Sequence, residues 1–143
     1  MNQPIHQDQL VITEGQAALD GMCSLAPSTI YAALLTDDGF DIVHVSRTQT
    51  EASRFASMSS SIQALSDAVG HELRIGDSEY VIMGSAQGHV IQLRIPGQPI
   101  VLAALFQPHE TLGKALSTAR LTAERLAQRL PAVQASAMAA PNF

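Results

Sequence analysis

The sequence predicts an α/β protein of the α+β type, in which a five-stranded antiparallel sheet carries helices on both faces. Three segments repeat apolar residues at helical spacing, and five short apolar segments are separated by turn sequences. Segments 29–35 and 100–106 are apolar on both faces, which requires cover on both sides of the sheet. We therefore expect two helices on one face, one helix on the other, and a single domain over residues 1–130.

The first half of the chain contains two predicted helices around a hairpin. Residues 8–24 form a helix with a weakly apolar stripe, and Pro27 ends this segment. Strands 29–35 and 40–46 follow. The turn between them is Asp-Asp-Gly, in which glycine supplies the positive φ that a tight hairpin needs. Residues 51–72 form the second helix.

The second helix has two contrasting sides. Its apolar stripe consists of Phe55, Met58, Ile62, Leu65, Val69 and Leu73. The opposite side carries mostly small residues, namely Ser53, Ser57, Ser60, Ala64, Ala68 and His71. We expect the apolar stripe to rest on the protein's own sheet, because apolar helix faces normally turn inward. The small residues would then let a second helix approach closely.

Three strands and a helix form the predicted second half. Strands 79–85, 89–95 and 100–106 are joined by short turns, which favours an antiparallel meander. Residues 111–130 form an amphipathic helix that Pro131 ends, and we expect residues 131–143 to be a disordered tail.

Four sequence segments resemble the roadblock (dynein light chain) family, particularly its bacterial members. They are Leu-Thr-Asp-Asp-Gly-Phe-Asp-Ile-Val at 35–43, Phe-Ala-Ser-Met-Ser-Ser-Ser-Ile-Gln-Ala-Leu at 55–65, Leu-Gly-Lys-Ala-Leu at 112–116 and Ala-Glu-Arg-Leu-Ala at 123–127. These are packing and turn patterns, so the resemblance depends on their order and spacing. It extends from about Thr29 to Leu130, and residues 1–28 match only as a helix of suitable size.

The resemblance implies a homodimer that binds and modulates a Ras-like small GTPase. Roadblock proteins typically dimerise through the second helix and the edge strand after it. The small-residue side of the second helix and the unpaired backbone groups of an edge strand independently favour the same surface. The predicted dimer interface is Ser53, Ser57, Ser60, Ala64, Ala68, His71, Glu79, Val81 and Met83. A structural scaffold without a GTPase and a small-molecule-sensing module are the alternatives.

No pattern of catalytic, cofactor-binding or metal-binding residues occurs in the sequence. There is no phosphate-binding glycine loop, and the five histidines do not pair at metal-ligand spacing. Asp37, Asp38 and Asp41 could suggest a cation site, but turn chemistry explains the first two. We therefore expect a protein that is not an enzyme and that binds no cofactor or metal.

Composition and charge limit the partners and the location. The net charge is −5, and basic residues do not cluster, so we expect no nucleic-acid binding. No segment has the apolar length of a membrane span, and the first residues do not resemble a signal peptide. The single cysteine, Cys23, agrees with a reducing compartment. We expect a cytoplasmic location and no membrane insertion.

Overall fold

The structure is a computed structural model that describes residues 3–49 and 51–132. Its elements are α1 (Gln9–Leu25), β1 (Thr29–Thr36), β2 (Asp41–Ser46), α2 (Ala52–Glu72), β3 (Val81–Ser85), β4 (Gly88–Arg94), β5 (Ile100–Phe106) and α3 (Leu112–Arg129), after a short 3-10 helix at Ile5–Gln7. The predicted fold class and element order are confirmed, and each predicted boundary lies within two residues of the observed one. The predicted tail, from residue 133 onward, lies outside the described residues.

The five strands form one antiparallel sheet in the order β2-β1-β5-β4-β3. The hairpin β1–β2 and the meander β3–β4–β5 are both present as predicted. Strand β1 pairs with β5, which joins the hairpin to the meander. Strands β2 and β3 are therefore the two edges of the sheet.

Helices α1 and α3 cover one face of the sheet and enclose the larger core. The Asp8 side chain accepts hydrogen bonds from the Leu10 and Val11 N–H groups, which fixes the start of α1. Gly15 lets α1 lie close to the sheet, because a Cβ there would come within 2.8 Å of Leu34 Cδ1. Thr111 accepts from the Lys114 N–H at the start of α3. The expected division of the helices, two on this face and one on the other, is confirmed.

Helix α2 covers the other face, but its orientation differs from the expected one. The side that faces the sheet is small and polar, and its buried residues are Ala56, Ser59, Gln63 and Gly70. Most of the apolar stripe points away from the sheet, and only Phe55 and Ile62 within it are half-buried. The expectation that this stripe rests on the protein's own sheet is therefore wrong.

The chemistry of the sheet explains this orientation. On the α2 side, β4 presents Gln92 and Arg94, whose polar groups need partners when they are covered. Ser59 and Gln63 supply hydrogen bonds to Gln92, which an apolar stripe could not do. Ala56 meets the small apolar patch at this side of the sheet. Burying the apolar stripe there would leave the Gln92 amide without partners.

Candidate protein interaction surface

Helix α2 and the residue that caps its end expose a row of large apolar side chains on the outside of the fold. We call it the α2 stripe: Met58, Leu65, Val69 and Leu73. Leu65 is 68% exposed, and each member of the stripe keeps about half or more of its side chain in solvent. Burying one such side chain fully stabilises a protein by about 1.5–3 kcal/mol. A contiguous apolar row of this kind is typical of a surface that another protein covers.

The end of α2 adds a further exposed apolar residue. Ile75 N–H donates to the Gly70 carbonyl oxygen at 2.9 Å, and Arg74 N–H donates to the His71 carbonyl oxygen at 3.1 Å. This pair of bonds is the Schellman arrangement, in which the residue after the helix adopts a left-handed conformation. Arg74 does so with φ at 59°. Ile75 follows and is 76% exposed.

The small-residue side of α2 is also on the surface. Of its members, Ser60 is half-buried, and the exposed ones are Ser53, Ser57, Ala64, Ala68 and His71. Ser60 donates to the Asp37 carbonyl oxygen at 2.5 Å, and His71 Nε2 lies 2.5 Å from Asp77 Oδ1. At 100° per residue, this side and the α2 stripe flank the sheet-facing side of the helix from opposite directions. Its role in a dimer interface stays a prediction.

Strand β3 forms the edge of the sheet and begins at Val81 rather than at residue 79. Val81 pairs with Gln92, and Met83 pairs with Val90, so both lie on the α2 side of the sheet. Met83 is exposed and Val81 is half-buried. The edge strand thus places apolar residues and unpaired backbone groups on the same side as α2.

Glu79 lies before β3 and forms an ion pair with α3. Its carboxylate is 3.5 Å from Arg120 Nη2. The guanidinium of Arg120 also lies over the Tyr80 ring, 5.0 Å from the ring centre. Glu79 is highly exposed in this position, so the ion pair contributes little to stability. Glu79 thus lies outside β3, unlike the other two predicted interface residues of this segment, Val81 and Met83.

The α2 stripe is the part of this surface that the sequence interpretation assigned to the interior. A signal for its exposure is present in the sequence. Gln92 and Arg94 alternate along a strand and predict a polar sheet face, and Ser59 and Gln63 share a helix face at a spacing of four. Matching the two polar faces would have turned the stripe outward.

The acidic residues around the first hairpin are paired with neighbouring side chains. Asp38 accepts from Thr36 Oγ1 at 2.5 Å, and Asp37 accepts from Arg94 Nε at 3.3 Å. Burial opposes the charge of Arg94, but Asp37 and Asp67 outweigh it and raise the pKa of the guanidinium. Asp41 lies 3.1 Å from His44 Nδ1. These contacts account for Asp37 and Asp38 as turn and ion-pair residues.

Tyr31, on the same side of the sheet, is shielded from solvent. Burial, followed by the nearby Asp41 carboxylate, raises the pKa of Tyr31 to about 12. The Tyr31 ring packs edge-on against Phe55, with 5.0 Å between ring centres.

Over residues 3–49 and 51–132, no three His, Cys, Asp or Glu side chains converge as a metal site would require. Within the same ranges, no helix has the length and apolar character to cross a membrane.

Comparisons with known proteins show which fold this is. No family model and no curated protein matches the sequence. Among solved structures, Myxococcus xanthus MglB superposes with a TM-score of 0.77 at 15% identity, over 86% of this chain and 95% of that one.

Two further structures agree. An MglB in a tetrameric arrangement gives a TM-score of 0.75 at 17% identity, over 85% of this chain and 90% of that one. A Roadblock/LC7 domain from Streptomyces avermitilis gives 0.70 at 18% identity, over 77% and 92%. The resemblance in the sequence is thus confirmed at the level of the fold: this chain has the roadblock fold.

Proposed function

We propose that this protein is a homodimeric interaction protein that binds and modulates a Ras-like small GTPase and that acts by binding rather than by catalysis. The observation that carries the proposal is the exposed α2 stripe. Leu65 and Leu73 are both more than half exposed along α2 and its C-cap. The chain also has only 15% charged residues, whereas an ordinary soluble domain has about 25%. A second copy that covers this row would remove it from water.

Two-fold symmetry suits this surface. In a symmetric dimer the same patch on both chains meets itself, so one apolar row supplies both sides of the contact. The unpaired edge of β3 supports the same arrangement, because its N–H and C=O groups can pair with those of a second β3. The similarity to an MglB in a tetrameric arrangement also supports self-association.

Cysteine cross-linking tests where the two chains meet. In a Cys23→Ser background the chain has no other cysteine, so Leu65→Cys introduces a single reactive thiol on the α2 stripe. We expect a short bifunctional maleimide to link two Leu65→Cys chains efficiently. Ala17→Cys, an exposed position on α1, is the matched control and should remain largely unlinked. Equal linking of the two variants would contradict a dimer through α2.

A second pair of variants tests the small-residue side of α2. We expect Ser60→Arg or Ala64→Arg to disrupt the dimer if that side forms the seam, because a guanidinium would separate two closely packed helices. Light scattering on the purified variants gives the mass directly. An unchanged dimer mass in both would restrict the contact to the α2 stripe and β3.

The GTPase partner follows from the family resemblance. Bacterial roadblock proteins commonly regulate small Ras-like GTPases, and the fold of this chain supports carrying that expectation over. The test is capture of Ras-like GTPases by the tagged protein, loaded with GDP or with a GTP analogue. Retention in one nucleotide state would support a regulator. If no GTPase is retained in either state, the GTPase proposal fails and a scaffold dimer becomes the better explanation.

A further inference from the structure

A groove runs between α1 and α3, on the side of the sheet opposite to α2. Its volume is about 210 Å³. Met22 and Leu126 are buried at its floor. We call it the α1–α3 groove, and its walls include Glu14, Ala17, Gly21, Leu25, Arg125 and Arg129. It shares no residue with the α2 stripe or with β3.

Small residues create this groove. A Cβ added to Gly21 would meet no atom within 4 Å, so α1 leaves open space where a helix normally carries a side chain. The Thr122 hydroxyl donates to the Thr118 carbonyl oxygen at 2.8 Å, so this wall residue already satisfies its own donor. Leu25 remains nearly half-exposed at the groove. The surface that results is apolar and has few unsatisfied polar groups.

The length of the groove matches a short helix, and its volume of about 210 Å³ accommodates side chains of such a helix. From Glu14 to Leu25, α1 extends over about 17 Å, or roughly three helical turns. Small residues such as Ala17 and Gly21 permit a short distance between helix axes. A third helix of similar length can therefore lie along α1 and α3 with its apolar face toward Met22 and Leu126.

The charges at the groove distinguish one kind of helix from another. Arg125 and Arg129 both lie on the α3 wall, and Glu14 lies on the α1 wall. Arg129 Nη1 is 4.0 Å from Glu14 Oε1, which partly offsets this pair. Arg125 makes no hydrogen bond or ion pair within residues 3–49 and 51–132. The α3 wall therefore carries positive charge although the net charge of the chain is −5, and this local charge favours a carboxylate on the bound partner.

We propose that the α1–α3 groove binds an amphipathic helix of another protein, with small apolar residues facing the groove and an Asp or Glu beside Arg125. The contact would bury Leu25 and the open space at Gly21, and it would pair the Arg125 guanidinium. Because the groove and α2 lie on opposite faces of the sheet, a dimer formed through α2 leaves the groove accessible on both chains.

Fluorescence anisotropy with defined peptides tests this proposal on the full chain. The probes are labelled helical peptides of about 14 residues, with Ala and Leu on one face and Glu at the flanking positions. A matched panel carries Lys in place of Glu. We expect a Glu peptide to bind with a Kd on the order of 0.1 mM and its Lys counterpart about tenfold more weakly.

Variants locate the binding site. Gly21→Leu adds a bulky side chain to the groove wall, where a Cβ meets no atom within 4 Å, and should weaken binding of the Glu peptide about tenfold. Arg125→Glu should abolish the preference for Glu over Lys. Arg54→Glu changes the net charge equally but lies on α2, so it should leave the preference intact. Leu65→Glu should leave the affinity unchanged, which separates this site from the proposed dimer surface.

Other outcomes would overturn the proposal. Absence of binding by every Glu peptide up to millimolar concentration would do so, as would binding that is insensitive to Gly21→Leu. A lower particle mass for Gly21→Leu in light scattering would show that a second copy of this chain occupies the groove. The two peptide-binding results do not depend on whether α2 forms the dimer.

Discussion

Ser59 of α2 and Gln92 of β4 exchange two hydrogen bonds. Ser59 Oγ donates to Gln92 Oε1 at 2.5 Å, and Gln92 Nε2 donates to the Ser59 carbonyl oxygen at 2.9 Å. Gln92 Nε2 also donates to Gln63 Oε1 at 3.2 Å. All three side chains are buried. The helix is thus attached to the sheet through a polar network, and this attachment turns the α2 stripe outward.

Removing the Gln92 amide should destabilise the fold strongly. We expect Gln92→Ala to lower the free energy of unfolding by about 3 kcal/mol, because Ser59 and Gln63 lose buried partners and a cavity remains. Urea unfolding at a fixed protein concentration measures the change. Gln87→Ala in the exposed β3–β4 turn is the control and should change stability by less than about 0.5 kcal/mol. A loss below about 1 kcal/mol for Gln92→Ala would show that the network does not hold α2 in place.

Two helical glycines should respond oppositely to alanine. A Cβ on Gly70 would lie 1.9 Å from the Gly76 carbonyl oxygen, so Gly70→Ala should destabilise the protein by about 2 kcal/mol. Gly21 faces open space, and Gly21→Ala should stabilise by up to about 1 kcal/mol, because alanine favours helix. Thermal unfolding of both variants provides the comparison. Equal effects of the two substitutions would contradict the close approach at Gly70.

The left-handed residue after α2 offers a stabilising substitution. Arg74 has φ at 59°, a conformation that costs a residue with a Cβ about 1–2 kcal/mol. We expect Arg74→Gly to raise the free energy of unfolding by about 1 kcal/mol. Arg54→Gly within α2 should instead lower it by about 1 kcal/mol. If Arg74→Gly destabilised the protein, the result would contradict the left-handed conformation of Arg74.

The Ser28–Glu110 contact predicts a dependence on pH. Ser28 Oγ donates to Glu110 Oε1 at 2.5 Å, and this bond lowers the pKa of Glu110 below its ordinary value of 4.5, with Lys114 adding to the effect. A carboxyl with a lowered pKa stabilises the fold above its unfolded pKa, and this contribution disappears as pH falls through the folded pKa. NMR titration should show a higher Glu110 pKa in Ser28→Ala. An unchanged pKa would remove Ser28 as the cause.

The sequence predicted the fold well because local patterns determine it. The periodicity of residues 8–24, 51–72 and 111–130 defines helices, and the turn residues between short apolar runs define the strands. Strands β1 and β5, apolar on both faces, correctly required helices on both sides of the sheet. These features depend on neighbours along the chain, so they are readable without a structure.

The orientation of α2 could not be obtained in the same way. It depends on Gln92 and Arg94, which lie 20 and 22 residues after the end of α2 at Glu72 and select its polar side. The general rule that apolar residues face inward therefore gave the wrong side for Leu65. The open space at Gly21 is likewise a tertiary property, because a glycine in a helix does not reveal what surrounds it.

Light scattering on wild type and Leu65→Glu tests most directly whether the α2 stripe is the dimer surface. We predict that the wild-type particle has twice the 15.2 kDa mass of one chain and that Leu65→Glu has the mass of a single chain. The control is Leu112→Glu, which changes an exposed leucine of α3 in the same way and should keep the dimer mass. A dimer mass for Leu65→Glu, or a single-chain mass for the wild type, would contradict the account.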